Sequence, residues 1–174
     1  AEIAFYVKDR GASVRFSGKS YVLPTRGQQG IPVTTINTAK VAIEIYRVGD
    51  RNLNAVVGGN GDFLKQLSGG DASGLANDMG QKIYAGELET AAGKLNEEVT
   101  TAIPVGDAIP ELKPGVYAVV AKPADKKRGD DDEDSGGSTQ WFIVSDLGLS
   151  AFTGDNGLHT FVRSLTTTEP VANA

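Results

Sequence analysis

The feature that most constrains the fold is a run of large apolar side chains from Trp141 to Val144, followed by Asp146 and Gly148. A strand with apolar residues at successive positions has no polar face to present to water. The run therefore predicts a β-strand that is buried on both sides. Such a strand needs pairing partners at its edges and covering layers on its faces, which indicates a domain built from β-sheets.

The pattern F-x-V-x-D-x-G-x-S occurs twice in the chain, starting once at Phe5 and once at Phe142. Internal repeats often mark repeated structural units, and chance similarity between two apolar strands is the alternative explanation. We interpret the two copies as the leading strands of two successive modules. The first of these strands is expected to span Ile3 to Phe16.

This interpretation divides the chain into two parts. Residues 1–140 are expected to form one module. Residues 141–174 are expected to form a shared edge strand and the opening strands of the next module. The chain would then be a piece of a longer modular protein, which agrees with its start at Ala1, without an initiator Met or a signal-peptide pattern.

The composition favours a β-rich domain and argues against several functions. A length of 174 residues corresponds to one domain or slightly more, and 22 of these residues are Gly. Val, Ile and Thr are frequent, as in sandwiches and barrels with many turns. Because the chain has no Cys, it has no disulfide, thiolate metal site or thiol nucleophile. The net charge of −5 argues against a nucleic-acid surface. No apolar run approaches the ~20 residues of a membrane helix.

Alternation of apolar and polar residues predicts most of the strands. The predicted strands are Ile31 to Asn37, Lys40 to Val48, Gln81 to Glu89, Asn96 to Val105, Val116 to Ala121 and Leu158 to Leu165. Gly18 to Gly30 has the composition of turns, with Pro24 and Gly27 breaking the run. A turn near Gly93 suggests that the strands on either side of it pair as a hairpin.

Two segments differ from this pattern. Residues 51–80 carry helical signals, with Asp62 and Asp71 as candidate N-caps, and we expect a short helical insertion between two strands. Residues 124–138 contain a run of like charges without apolar anchors, so we expect a solvated acidic loop.

Tyr117 follows the turn formed by Lys113, Pro114 and Gly115, at the start of a strand late in the chain. In Greek-key sandwiches a Tyr at such a position forms a tyrosine corner, in which its hydroxyl bonds to backbone a few residues upstream. The alternative is a Tyr that only packs against its neighbours.

Residues that could carry catalysis are few. His159 is the only His and has no evident triad partner, so a packing or surface role is expected. The carboxylates from Asp130 to Asp134 lack the spacing of a calcium loop, and Arg128-Gly129-Asp130 is a tripeptide that occurs often by chance. Neither a phosphate-binding loop nor a nucleophile elbow is present. We therefore assign no catalytic, cofactor-binding or metal-binding residue.

Three stretches carry distinctive motifs: Val14 to Leu53, Leu112 to Lys122 and Trp141 to Thr167, which contain VLPTRGQQGIPVTTINTAKVAIEIYRVGD, LKPGVYAVVAK and WFIVSDLGLSAF. Together they resemble the early macroglobulin-like modules of bacterial alpha-2-macroglobulins. The resemblance covers most of the chain and is weakest in the helical insertion and the acidic loop. It implies a mainly β fold, namely a macroglobulin-like, fibronectin-III-like antiparallel β-sandwich.

The resemblance also implies a function. Members of the family are long chains of such modules, anchored as lipoproteins in the periplasm, that trap proteases of broad range. A protease cuts a bait region, the molecule rearranges, and a Cys–Gln thioester can link the attacker. This chain has no Cys and therefore no thioester. No functional residue of the family maps onto it, and no cofactor is expected.

The leading hypothesis is thus a non-enzymatic structural module of a protease inhibitor. Its expected partners are the adjacent macroglobulin-like modules of the same chain, with target proteases met only through the full-length protein. An alternative is a ligand-binding or adhesive sandwich that uses the acidic loop or the insertion helices, in which case deleting residues 126–137 would abolish binding. A small hydrolase with an unrecognised carboxylate pair is a third candidate, and it would need a pocket lined by acids.

Overall fold

The structure is a computed structural model that describes residues 7–18, 20–26, 30–53, 80–91, 93–125 and 137–173, with the backbone alone for residues 20 and 21. The strands are β1 (Ser13–Phe16), β2 (Ser20–Leu23), β3 (Gly30–Ile36), β4 (Lys40–Val48), β5 (Gly80–Glu89), β6 (Glu98–Pro104), β7 (Gly115–Pro123), β8 (Ser138–Val144), β9 (Leu147–Gly154) and β10 (Gly157–Ser164). A one-turn helix, α1 (Val105–Ala108), follows β6, and residues 50–53 are also helical.

The strands form two main sheets and a separate hairpin. One sheet has three strands in the order β1-β3-β6, and the other has five in the order β2-β8-β7-β4-β5. Every neighbouring pair in them is antiparallel except β2 and β8, which run parallel. Among the described residues, β9 and β10 pair with each other as a third, two-stranded sheet.

The two main sheets face each other across one hydrophobic core. The three-stranded sheet contributes side chains such as Phe16, Val33 and Ile103, and the five-stranded sheet contributes side chains such as Ile45 and Phe142. Period-2 alternation explains this, because every second residue of a strand points to the same face. The predicted mainly β antiparallel sandwich is confirmed.

Strand β8 is buried on both faces, as the apolar run predicted. Trp141 and Phe142 point to opposite faces and are 2% and 0% exposed. The strand lies between β2 and β7, so it is an inner strand of its sheet. The expected edge position was wrong, because the parallel pairing of Leu23 with Val144 covers the free side of β8.

Two further predictions, one of turns and one of strand pairing, were also wrong. The segment from Gly18 to Gly30 contains β2 as well as turns. Strand β2 pairs with β8, which is distant in sequence. The strands around Gly93 are both present, but β5 pairs with β4 and β6 pairs with β3. The connection at Gly93 therefore crosses from one sheet to the other instead of closing a hairpin.

The proposed sequence repeat is not matched by a repeated strand in the described residues. Residues 7–12 are outside any strand, and Val7 is 85% exposed. The second copy is divided between β8 and β9 by a bend at Asp146. Phe5 lies outside the described residues, as do residues 54–79 of the helical insertion and residues 126–136 of the acidic loop.

The tyrosine corner at Tyr117 is confirmed. The Tyr117 hydroxyl donates a hydrogen bond to the carbonyl oxygen of Lys113 at 2.5 Å, and its ring stacks on Phe142 with centroids 5.0 Å apart. Gly115 in the turn has a φ of +154°. The buried Tyr ring thus joins the core to the turn that precedes β7, and its hydroxyl satisfies a backbone carbonyl there.

We predict that Tyr117→Phe lowers the free energy of unfolding by about 1–2 kcal/mol, because the Lys113 carbonyl loses its donor while the ring remains in place. Urea denaturation followed by Trp fluorescence measures this change. Tyr84→Phe, a partly buried Tyr beside the core, is the matched control and should change stability by less than about 0.5 kcal/mol. Equal effects of the two substitutions would contradict a stabilising role for the corner.

Candidate functional site

The chain enters and leaves the sandwich at opposite ends. Ser13 at the start of β1 is paired with Ile36 at the end of β3, and this is also the end where β4 begins. Val144 at the end of β8 is paired with Gly115 at the start of β7, near the far end of β4. We call these the upstream end and the downstream end. A module that passes the chain from one end to the other can be connected in series.

At the upstream end, hydrogen bonds hold the incoming chain against two turns. The Asn37 amide donates to the Arg10 carbonyl at 2.6 Å and to Asn96 Oδ1 at 3.0 Å. The Arg10 backbone N–H donates to the same Asn96 oxygen at 2.8 Å, and Asn96 donates to the Asp9 carboxylate at 2.9 Å. Residues 9–10 are therefore tied to the β3–β4 and β5–β6 connections before β1 begins.

An open pocket of about 470 Å³ lies beside this network. Lys94, Leu95, Glu97 and Asp125 are among its lining residues. The Asp125 carboxylate accepts hydrogen bonds from the Thr38 hydroxyl and from the Ala39 backbone N–H, so it fixes the turn that lines the pocket.

At the downstream end, two residues connect the sandwich to the hairpin, and we call Ser145 and Asp146 the junction. The Ser145 backbone N–H donates to the Leu23 carbonyl at 3.2 Å, which extends the pairing of β2 with β8 by one residue. The Ser145 hydroxyl oxygen accepts a hydrogen bond from the backbone N–H of Leu147 at 3.0 Å. The first residue of the junction is thus bonded to both sides.

Asp146 closes the open base of the hairpin. Its carboxylate accepts a hydrogen bond from the Ser164 hydroxyl at 2.8 Å, and two more from the backbone N–H and the hydroxyl of Thr166, the first at 2.9 Å. Its backbone carbonyl accepts from the Leu165 N–H at 2.6 Å. We call this set of bonds the Asp146 clamp. The clamp fixes the residues after β10 to the residue that lies just before β9.

The clamp also affects the ionisation of Asp146. Hydrogen bonds from the side chains of Thr166 and Ser164 lower the pKa of the Asp146 carboxyl below its ordinary value, because they stabilise the charged form. The positive charge of Arg26 acts in the same direction with a smaller effect, and desolvation opposes them. The carboxylate is therefore the form that the clamp binds.

The hairpin has two different faces. Its cross-strand pairs place Leu147, Leu149, Leu158 and Val162 on one side, which we call the aliphatic face, and Phe152, His159, Phe161 and Arg163 on the other, which we call the aromatic face. Leu149 and Leu158 are each 69% exposed, and Phe152 is 54% exposed. A two-stranded hairpin is only marginally stable in isolation. Large exposed apolar side chains on both of its faces are unusual for a protein surface and indicate a contact site.

After the hairpin the chain turns back along β10. Arg163 forms an antiparallel bridge with Pro170. The Ser164 N–H donates to the Glu169 carbonyl at 3.0 Å, and the Val171 N–H donates to the Val162 carbonyl at 3.0 Å. Pro170 has no N–H, and it occupies the position of the ladder that needs none. Residues 169–171 thus form a short antiparallel bridge beside β10.

The residues considered for catalysis are placed as follows. His159 lies on β10, stacks on Phe152 with centroids 5.7 Å apart, and its Nε2 is 2.7 Å from Asn156 Oδ1. The acidic run and the Arg128-Gly129-Asp130 tripeptide lie outside the described residues. Within the described ranges, no group of His, Asp and Glu side chains is arranged to hold a metal ion.

In the same part of the chain, no helix has the length and apolar character to cross a membrane.

Sequence reasoning did not identify the hydrogen-bonding residues at either end. Asn37 and Asn96 have positive φ values of 50° and 68°, and Asn tolerates that conformation better than most residues. An Asn at the terminal position of a predicted strand, as at Asn37 and Asn96, is the available signal for such a turn. Ser164 and Thr166 have no comparable signal, since Ser and Thr are common in turns.

These observations define an antiparallel β-sandwich with a hydrogen-bonded chain segment at each end. The chain belongs to the family of the bacterial alpha-2 macroglobulin MG2 domain, whose family model matches residues 15–130. The predicted resemblance is thereby confirmed.

An alpha-2-macroglobulin from Xylella fastidiosa (strain Temecula1 / ATCC 700964) is 25% identical over 170 residues, which are 95% of this chain and 10% of that protein. A crystal structure of native alpha-2-macroglobulin from Escherichia coli spanning domains MG0-NIE-MG1 superposes with a TM-score of 0.68 at 25% identity, over 96% of this chain and 50% of that one. A second crystal structure of native alpha-2-macroglobulin from Escherichia coli, spanning domains NIE-MG1, superposes with a TM-score of 0.66 at 25% identity. The match covers 95% of this chain and 75% of that one. The chain spans about one tenth of the curated relative's length.

We predict that Asp146→Asn loosens the base of the hairpin. An amide presents one oxygen and an NH₂ group to three donors, so at least one hydrogen bond of the clamp is lost. Amide hydrogen exchange of Leu165 and Thr166 should become roughly 10-fold faster, while exchange in β7 stays unchanged. Asp155→Asn, at an exposed position in the β9–β10 turn, is the control and should leave both amides unaffected. Unchanged exchange in Asp146→Asn would show that the clamp does not hold the hairpin.

We also predict that the clamp weakens in acid. The pKa of Asp146 is lower in the folded protein than its ordinary value of 3.8, so its stabilising effect is complete above about pH 3.8 and is lost as the pH falls through the lower folded pKa. In an NMR titration the Thr166 amide and the Asp146 carboxyl carbon should shift together below pH 3.8. The Thr166 amide of Asp146→Asn should not titrate in this range. A titration midpoint of Asp146 above 3.8 would contradict the lowered pKa.

Proposed function

We propose that this chain is a non-catalytic structural module of a bacterial alpha-2-macroglobulin-like, broad-spectrum protease inhibitor. On this proposal residues 1–140 form most of one macroglobulin-like module, with β8 completing its sheet, and residues 141–174 lead into the opening strands of the next. The observation that carries the proposal is the junction. The chain leaves a finished sandwich through two hydrogen-bonded residues and starts new β-structure at once.

The comparisons support this organisation. The curated relative from Xylella fastidiosa is about ten times longer than the chain. The chain also superposes on three quarters of a structure that spans two domains, NIE and MG1. A segment that contains one module and the beginning of another is consistent with both findings. The antiparallel bridge that residues 169–171 form beside β10 is compatible with further β-structure in the second module.

The geometry suggests how such a module contributes to inhibition. A protease trap that rearranges after cleavage needs parts that move as blocks, because a flexible connection would not carry a change in one part to the next. In this chain the junction has two residues, and each of them is bonded to ordered strands or to the turn after β10. The module would therefore fix the direction in which its neighbour leaves.

The remaining elements of the proposal come from the family. The partners are the adjacent macroglobulin-like modules, and target proteases are met only through the full-length protein. The parent protein is placed in the periplasm, attached to the inner membrane through its lipoprotein N-terminus. The piece itself contacts neither membrane nor nucleic acid and uses no cofactor. The negative net charge of −5 supports the absence of a nucleic-acid surface.

We predict that a four-residue Gly-Ser insertion between Ser145 and Asp146 lowers capture of trypsin by the parent protein several-fold, because it makes the junction flexible. The insertion separates the Ser145 hydroxyl from the Leu147 N–H and leaves the bond from Ser145 to Leu23 and the Asp146 clamp in place. Capture is measured as the amount of trypsin protected from a macromolecular inhibitor. Small-angle scattering of the same variant should show a wider distribution of dimensions than the unmodified protein. The isolated chain should leave trypsin activity unchanged.

The control is the same insertion between Asp155 and Asn156, in the turn of the hairpin, which lengthens the chain equally without altering the junction. This variant should capture trypsin as the unmodified parent does. If the insertion at the junction alters neither scattering nor capture, the junction is not a stiff connector. If the isolated chain inhibits trypsin by itself, the proposed role as a structural part is wrong.

A further inference from the structure

The two faces of the β9–β10 hairpin differ in chemistry as well as in shape. The aliphatic face consists of the cross-strand pairs Leu147/Ser164, Leu149/Val162, Ala151/Thr160 and Thr153/Leu158. None of these side chains is ionisable. The aromatic face consists of Gly148/Arg163, Ser150/Phe161, Phe152/His159 and Gly154/Gly157, and includes the permanent charge of Arg163 and the titratable His159.

The aliphatic face continues beyond the hairpin. The Arg163–Pro170 bridge places Val171 opposite Val162, and residues directly opposite each other in an antiparallel ladder share a face. Val162 is already opposite Leu149 in the hairpin. Three successive chain segments therefore place Leu149, Val162 and Val171 in one row across the sheet. Such a row is what one inner layer of a sandwich core looks like before its second sheet is added.

The aromatic face is partly covered by its own side chains. Phe152 stacks on Phe161 with ring centroids 5.1 Å apart and on the His159 ring at 5.7 Å. At the base of the hairpin, Leu165 lies over Gly148, so close that a Cβ on Gly148 would be 2.8 Å from a Leu165 methyl group. The aromatic rings thus stack on one another, although Phe152 and Phe161 stay 54% and 47% exposed, against 53% to 69% for the leucines of the other face.

From these observations we infer that the aliphatic face is the inner face of the following module, and that the aromatic face stays on its outside. The occupant of the aliphatic face is the second sheet of that module, formed by the chain that continues past Ala174. The inference rests on the proposed boundary between the modules and adds which side of the hairpin is buried. The length of the curated relative, of which this chain spans 10%, supplies the chain needed for that sheet.

Desolvation decides between the two faces. Burying the aromatic face would take the Arg163 guanidinium out of water, and an unpaired buried charge is strongly destabilising. It would also remove solvent from His159 on the same face. Burying the aliphatic face removes only apolar and hydroxyl groups from water, and the apolar contribution is favourable at about 25 cal/mol per Å². Burial of the aliphatic face is therefore favourable, whereas burial of the aromatic face is not.

The absence of Cys allows a direct test, because one introduced thiol reports its own exposure. Leu149→Cys probes the aliphatic face and Phe152→Cys is its matched control on the aromatic face. Both are made in the 174-residue chain and in the natural protein continued by about 100 residues, enough for one further sandwich. The rate of reaction with a small aromatic disulfide reagent is measured under native conditions. Val162→Cys and Phe161→Cys repeat the comparison at a second pair of positions.

In the 174-residue chain both thiols should react at rates within about threefold of each other, since both positions are exposed. In the longer protein, Leu149→Cys should react at least ~100-fold more slowly and Phe152→Cys should change by less than about fivefold. Protection of Phe152→Cys, alone or together with Leu149→Cys, overturns the assignment of faces and leaves the proposed boundary standing. Unchanged reactivity of both thiols overturns the boundary as well, because the hairpin would then have no cover.

Discussion

The burial of β8 on both faces is the constraint on which the rest of the structure depends. Its backbone is paired with β7 on one side and with β2 on the other, and Phe142 stacks on the core side chain of Tyr117. A strand that is paired on both sides and buried on both faces has one position available. Since β8 is the last strand of the sandwich, this position determines where and in which direction the chain leaves. The junction begins from a fixed point for that reason.

Local sequence patterns identified the strands better than they identified the pairing. The alternation in β4 and the apolar run at Trp141 indicate which side chains are buried. Such patterns can be read from residues that are close in sequence. Which strand pairs with which depends on segments far apart. β2 was missed because its partner β8 follows more than a hundred residues later, and β5 and β6 are adjacent in the chain but belong to different sheets. The short F-x-V-x-D-x-G-x-S pattern likewise resembled a repeat without producing the same strand at Val7.

Only the local features of the candidate site could be predicted, because its other contacts depend on residues far apart in the sequence. The bend between Asp146 and Gly148 was visible as a polar residue and a Gly that interrupt an apolar stretch. The residues that bind the Asp146 carboxylate could not be found, because Ser164 and Thr166 reach it only through the register of the hairpin. Tyr117 is the contrasting case. Its partner Lys113 is four residues away, and the turn between them is evident in the sequence, so the whole interaction could be predicted.

The junction derives its order from the number of its bonds and from their arrangement. The Asp146 carboxylate is only partly buried, and a single hydrogen bond to such a group competes with water. Its oxygens instead accept from donors on both Ser164 and Thr166, while its carbonyl accepts from Leu165, and Ser145 is bonded to Leu23. Releasing the hairpin requires breaking these bonds together, because each one keeps the others in position. A connection that uses the ladder hydrogen bonds of both sheets can be short and stiff without a buried interface. That property suits a part whose proposed contribution is to orient its neighbour.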